Sequence, residues 1–143
     1  MGRIDVQLVG FRSRDGEVIV SLFASAEGFP DRIQHAVATR NLPIRDLQAA
    51  TRFDGLAYGR YAISVLHDEN GDGLMNSSWL GTPREGFGFS GHPEYRFGQP
   101  TFAEAAFFLV TPQRDVVIGL RYATGRQERQ RDNQQQRQRG TSN

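Results

Sequence analysis

The chain has no cysteine and no lysine, a single tryptophan, and no apolar run near the roughly 20 residues of a membrane helix. Without cysteine there can be no disulfide, no thiolate metal site and no cysteine nucleophile. The lack of cysteine is neutral on compartment. All 17 basic residues are arginine, which fits a GC-rich coding bias and is also the residue suited to phosphate. The opening MGRIDVQLVGF is too short in apolar residues for a secretory signal, so the chain is either cytoplasmic or had its signal removed earlier. The net charge of +1 is split: five arginines against Glu128 and Asp132 make residues 123–143 +3, leaving −2 for the rest. The patterned part is therefore not a basic platform, and nucleic acid is not an expected partner.

Against these absences stands clear strand patterning. The 143 residues suffice for one domain with one core. Residues 4–11 alternate, with Ile4, Val6 and Leu8 on one face. Asp15-Gly16 reads as a hairpin turn, because glycine accepts a positive φ, with 17–24 as the return strand. That strand is apolar on both faces, with Ile19 and Phe23 opposite Val18, Val20 and Leu22, so it should be central or covered. Residues 31–38 fit a short helix or a short strand equally. Residues 46–54 read as a strand with Leu47, Ala49, Thr51 and Phe53 on one face, and 60–67 as the strongest strand of all. Two further strands, 103–110 and 115–122, are joined by a turn at 111–114. Residues 68–103 have little regular patterning, and connections that long are often functional. The polar 123–143 should be a disordered Arg/Gln-rich tail. With no βαβ alternation, the expectation is an all-β antiparallel sandwich of about seven strands over 1–122, carrying one long Gly/aromatic-rich loop.

The blocks GEVIVSLFASAEGFP (16–30), FDGLAYGRYAISVLHDENGDG (53–73), LGTPREGFGFS (80–90) and FGQPTFAEAAF (97–107), in this order, resemble the bacterial domain of unknown function 2141 family. The resemblance implies export to the periplasm or beyond, and no assigned activity. FDGLAYGRYAISV is also similar to a strand of transthyretin-like and carboxypeptidase-regulatory-like sandwiches, which implies a fold and no chemistry.

Three constellations could carry function. Asp68, Asn70 and Asp72 with Gly73 match the first half of a calcium loop, where oxygen ligands alternate around a tight turn. Leu74 would offer a carbonyl and Asn76 a side-chain oxygen. The position of the closing bidentate glutamate holds Trp79, so a closing ligand would have to come from elsewhere, with Glu85 and Glu69 the nearest candidates. A metal-free turn capped by its own Asp and Asn side chains fits the same residues. Calcium is the one cofactor this spacing would serve. His67 beside Asp68 or Glu85 could act as a general base in a hydrolase; equally, His67 could end a strand and hydrogen-bond to the loop. Trp79, Phe87, Phe89 and Tyr95 could, with His67, present a surface to a small ligand, carbohydrate or protein, or turn inward as a satellite core. The leading expectation is a non-enzymatic envelope or extracellular binding module. A hydrolase and a structural or assembly module without a small ligand are the alternatives.

Overall fold

The computed structural model describes residues 1–69, 86–91 and 100–122. Among the described residues, eight strands form two sheets. Sheet A has the order β4 (Ala49–Leu56), β1 (Gly2–Val9), β8 (Gln113–Gly119). Sheet B has the order β3 (Ala38–Leu42), β2 (Glu17–Phe23), β5 (Gly59–Asp68), β6 (Gly86–Phe89), with β7 (Phe107–Leu109) pairing the start of β5. The all-β sandwich expected from the patterning is present.

The alternation in β1 sends Ile4, Val6 and Leu8 inward, where they meet Val18, Val20 and Leu22 of β2 and Ile63 and Val65 of β5. Phe53, Leu109 and Ile118 complete this core between the sheets. Sheet B is covered on its other face as well. Ile19, Phe23, Ala62, Leu66 and Phe89 form a second cluster under Phe29 and a helical turn, α1 (Phe102–Ala105). This explains the two-sided apolarity of 17–24 and the near-complete burial of β5: central strands buried on both faces lose the polar alternation.

Several local expectations are corrected. Asp15-Gly16 is no hairpin: β1 pairs with β4 and β8, whereas β2 pairs with β3 and β5, so the turn carries the chain from one sheet to the other. β7 and β8 are likewise split between sheets. β1 and β8 run parallel, a pairing the absence of βαβ units argued against; the intervening strands serve as the crossover. Residues 33–35 form one 3₁₀ turn and a strand follows at Ala38. The 46–54 strand begins only at Ala49, because Asp46 and Leu47 take positive φ in a two-residue turn closed by hydrogen bonds between Arg45 and Gln48. The first three residues of 103–110 are helical: the Thr101 side chain accepts from Glu104 N–H while the Glu104 carboxylate accepts from Thr101 N–H, a capping box that starts α1. The 68–103 connection also contains a strand, β6.

The link from β4 to β5 crosses between sheets in a few residues. Tyr61, nearly buried, donates its hydroxyl to the Ala57 carbonyl at 2.6 Å and so fixes this corner. Tyr61→Phe leaves that carbonyl without its partner and is expected to cost about 1–2 kcal/mol in urea unfolding with an unchanged m-value.

Candidate functional site

The described part of the site is the end of β5, the 11–16 loop and the segment after β8. His67 is fully buried although it ends a strand. Its Nε2 lies 2.7 Å from the Asp15 carbonyl, and its Nδ1 2.7 Å from the Tyr122 hydroxyl. A carbonyl only accepts, so Nε2 carries a proton; in the neutral imidazole Nδ1 then accepts from Tyr122. The Tyr122 oxygen in turn accepts from Arg12 N–H at 3.2 Å. Edge-on contacts with Phe11 (5.2 Å between ring centres) and Tyr122 (5.8 Å) hold the imidazole on its sides. The Arg12 guanidinium lies over the Tyr122 ring, 4.5 Å from its centre.

Arg12 also reaches Glu69, the residue just past β5, and Ser13 Oγ donates to the other Glu69 oxygen at 2.8 Å. Burial pushes the Glu69 carboxyl up, but the hydrogen bonds from Arg12 and Ser13 and the charge of Arg12 outweigh it and leave the pKa below its ordinary 4.5. A folded-state pKa below the unfolded one adds stability above pH 4.5 that is lost as pH falls through the lower value. Glu69→Gln should therefore flatten the acid limb of a stability-against-pH curve. An acid limb identical to wild type would show that the pair contributes nothing.

Tyr122 behaves in the opposite sense. Burial, helped by the Glu69 charge, raises its phenol to about 12 against the hydrogen bond and charge of Arg12. The stability this represents is complete below pH 10 and disappears as pH rises from about 10 to about 12. Ultraviolet titration should find one tyrosine ionising last, and Tyr122→Phe should abolish that step.

The return of the connection is tied down as firmly. β6 pairs antiparallel with the end of β5, Gly86 opposite His67. A Cβ on Gly86 would stand 2.3 Å from the Tyr122 ring, so only glycine lets that ring close over the strand. Phe87 forms a two-way backbone bridge with Arg121, joining sheet B to the segment after β8. Phe89 is buried in the second cluster, and Phe87 is half-buried against it. Buried Ser90 accepts from Ile63 N–H at 2.8 Å and donates to the Ala105 carbonyl at 2.6 Å, stitching the turn after β6 to both β5 and α1.

Of the residues singled out from sequence, His67, Asp68, Phe87 and Phe89 are brought together around the end of β5. His67, Asp68 and Phe89 face the interior and not a surface. Asn70, Asp72, Leu74, Asn76, Trp79, Glu85 and Tyr95, as well as the tail at 123–143, lie outside the described residues. Among the described residues no three His, Asp or Glu side chains group as metal ligands would. Sequence reading overlooked Tyr122, Arg12, Ser13 and Ser90. Only Tyr122 gave a faint signal, as an aromatic ending the last patterned strand; the partners of the others are tens of residues away.

The fold defines an all-β sandwich in which β6 and Ser90 anchor the described part of the 68–103 connection. The chain matches, over residues 6–117, the family described as "Uncharacterized protein conserved in bacteria (DUF2141)", and it belongs to that family. Searches of curated proteins and of solved structures found no match. No helix among the described residues is long and apolar enough to cross a membrane.

Proposed function

We propose that this protein is a non-enzymatic module of the bacterial envelope or extracellular space, whose connection after Asp68 forms a binding surface for a small ligand, a carbohydrate or a protein. The observation that carries this reading is the engagement of both His67 ring nitrogens inside the fold. A general base must reach the proton it takes from substrate, and His67 is fully buried between Phe11 and Tyr122. Here His67 instead ties the base of the connection to the 11–16 loop and to Tyr122, as a support for a binding loop would. The hydrolase alternative, His67 with Asp68 or Glu85, requires His67 to give up one of these bonds first.

Calcium at Asp68, Asn70, Asp72, Leu74, Asn76 and Glu85 belongs to this proposal as a stabiliser of the connection. The alternation of oxygen side chains in sequence supports it. Trp79 is the only tryptophan, so its fluorescence reports on this connection alone. Chelator-treated protein titrated with Ca²⁺ should release or absorb heat, shift Trp79 emission and melt higher. No heat and an unmoved melting temperature would remove calcium from the proposal. The envelope location is supported by the family resemblance, and fractionation of the native bacterium tests it: recovery with cytosolic markers would refute it.

A further inference from the structure

Two arginines interrupt the apolar rows on the core-facing sides of the sheets. β3 turns Ala38, Arg40 and Leu42 toward the core, because they pair with the fully buried Leu22, Val20 and Val18. β8 turns Arg114, Val116 and Ile118 the same way, opposite Ile4, Val6 and Leu8. Ala38, Leu42, Val116 and Ile118 join the core. Arg40 and Arg114 remain exposed. The alternation calls for an apolar residue at both positions, so core packing does not account for either arginine.

Both sit at the open sides of the sandwich, since β3 and β8 are edge strands. Arg40 crosses from sheet B to sheet A and lies over the Phe53 ring of β4, 4.9 Å from its centre. On the opposite side Arg114 crosses from sheet A to sheet B. It lies 5.5 Å from the centre of the Phe107 ring of β7 and donates to the Phe108 carbonyl at 3.2 Å. Each guanidinium thus fills the seam between two edge strands, β3 with β4 and β8 with β7. No carboxylate among the described residues forms an ion pair with either. A strand added to one of these edges would run past the seam and cut the guanidinium off from water, and a buried cation needs a carboxylate. Residues directly opposite in a ladder share a face. Asp54 and Asp115 alternate with the core-facing Phe53 and Arg114, so they lie on the outer face, and no core-facing residue of the four edge strands is acidic. No pairing between copies along these edges therefore brings a carboxylate opposite Arg40 or Arg114. The few ladder hydrogen bonds gained do not offset the hydration lost.

We propose that Arg40 and Arg114 keep the sheet edges from accepting a further strand, so that the sandwich works as a single copy. This role rests on neither the connection after Asp68 nor calcium, and it argues against assembly of copies edge to edge.

The test is sedimentation velocity of the full chain over a wide range of protein concentration. Wild type is expected to stay a monomer. Arg40→Val and Arg114→Val restore the apolar alternation, and each should self-associate at least about tenfold more strongly than wild type. Hydrogen exchange of the associated form should show new protection at β3 for the first variant and at β8 for the second. Arg40→Lys and Arg114→Lys keep a cation in the seam without the planar stacking on the ring. They should stay monomeric even if they melt lower, which separates guarding the edge from packing on Phe53 or Phe107. Far-UV circular dichroism and melting temperature establish that each variant is folded. Should a valine variant fail to fold, the neutral but polar glutamine variant takes its place, with association between that expected for valine and that of wild type. A wild-type oligomer would overturn the proposal. So would folded neutral variants as monomeric as wild type, or lysine variants that associate as the valine variants do.

Discussion

Replacing His67 by alanine should destabilise the protein by about 4 kcal/mol, lowering the melting temperature by roughly 15 °C. Two losses combine. Truncation empties space between the Phe11 and Tyr122 rings in a fully buried position, and cavities of this kind cost about 2–5 kcal/mol. It also strips the Tyr122 hydroxyl and the Asp15 carbonyl of their shared partner, worth about 1–3 kcal/mol where the groups remain shielded. His67→Phe separates the two, since it refills the space and restores neither hydrogen bond; it should recover part of the loss. Guanidinium unfolding of the three proteins measures both contributions. The same series separates support from catalysis. A general base can be removed with little effect on folding, so a His67→Ala protein within about 1 kcal/mol of wild type would sink the supporting role and return the histidine to the hydrolase reading.

The second large effect is expected at Gly16. Its φ of +71° is one that side-chain-bearing residues adopt at a cost of about 1–2 kcal/mol. A Cβ there would also stand 1.9 Å from the Asp68 carbonyl oxygen and 2.8 Å from Glu69 backbone atoms. Gly16→Ala must therefore push the 11–16 loop off the end of β5, loosening the His67–Asp15 bond and the Arg12–Glu69 pair with it. The expected cost is about 3–4 kcal/mol. Gly55 supplies the control. Its φ is nearly the same, +66°, but nothing lies within 4 Å of its absent Cβ. Gly55→Ala should show the backbone term alone, about 1 kcal/mol. Equal costs at the two positions would mean that the close approach to Asp68 is absent in solution.

Both effects converge on the junction where the chain leaves its most central strand. This arrangement gives the 11–16 loop and the segment ending in Tyr122 a common task. They meet over the end of β5, one from each side of the sequence, and close it. A connection carrying a binding surface needs such a base, because ordering a long loop costs conformational entropy that packing at its roots can offset. Ser90 does the same for the return, with two hydrogen bonds from one buried hydroxyl.

Much of the fold was legible in local pattern. The period-two alternation of 4–11, the two-sided apolarity of 17–24 and the run from Tyr61 to His67 are direct consequences of burial, and they marked β1, β2 and β5 within a residue or two. The inward turn of Phe89 was open in sequence, since aromatic residues beside glycines suit a surface as well as a core. It is buried because β6 pairs with β5 and delivers it onto Phe29. Asp15-Gly16 was misleading for a definite reason. Turn chemistry specifies a reversal and the sign of φ, and it carries no information about which sheet the next strand will join. Likewise, AEAA at 103–106 suits strand or helix, and the Thr101–Glu104 capping box decided between them.

The sequence by itself determined β1, β2 and β5, their inward-facing residues and the family, because each is written in neighbouring residues. Tertiary structure alone decided what His67 is. Its partners, Asp15 and Tyr122, lie 52 and 55 positions away, on opposite sides of it in the chain. A buried imidazole takes its protonation and its role from the groups that satisfy it, and no local pattern names groups so distant.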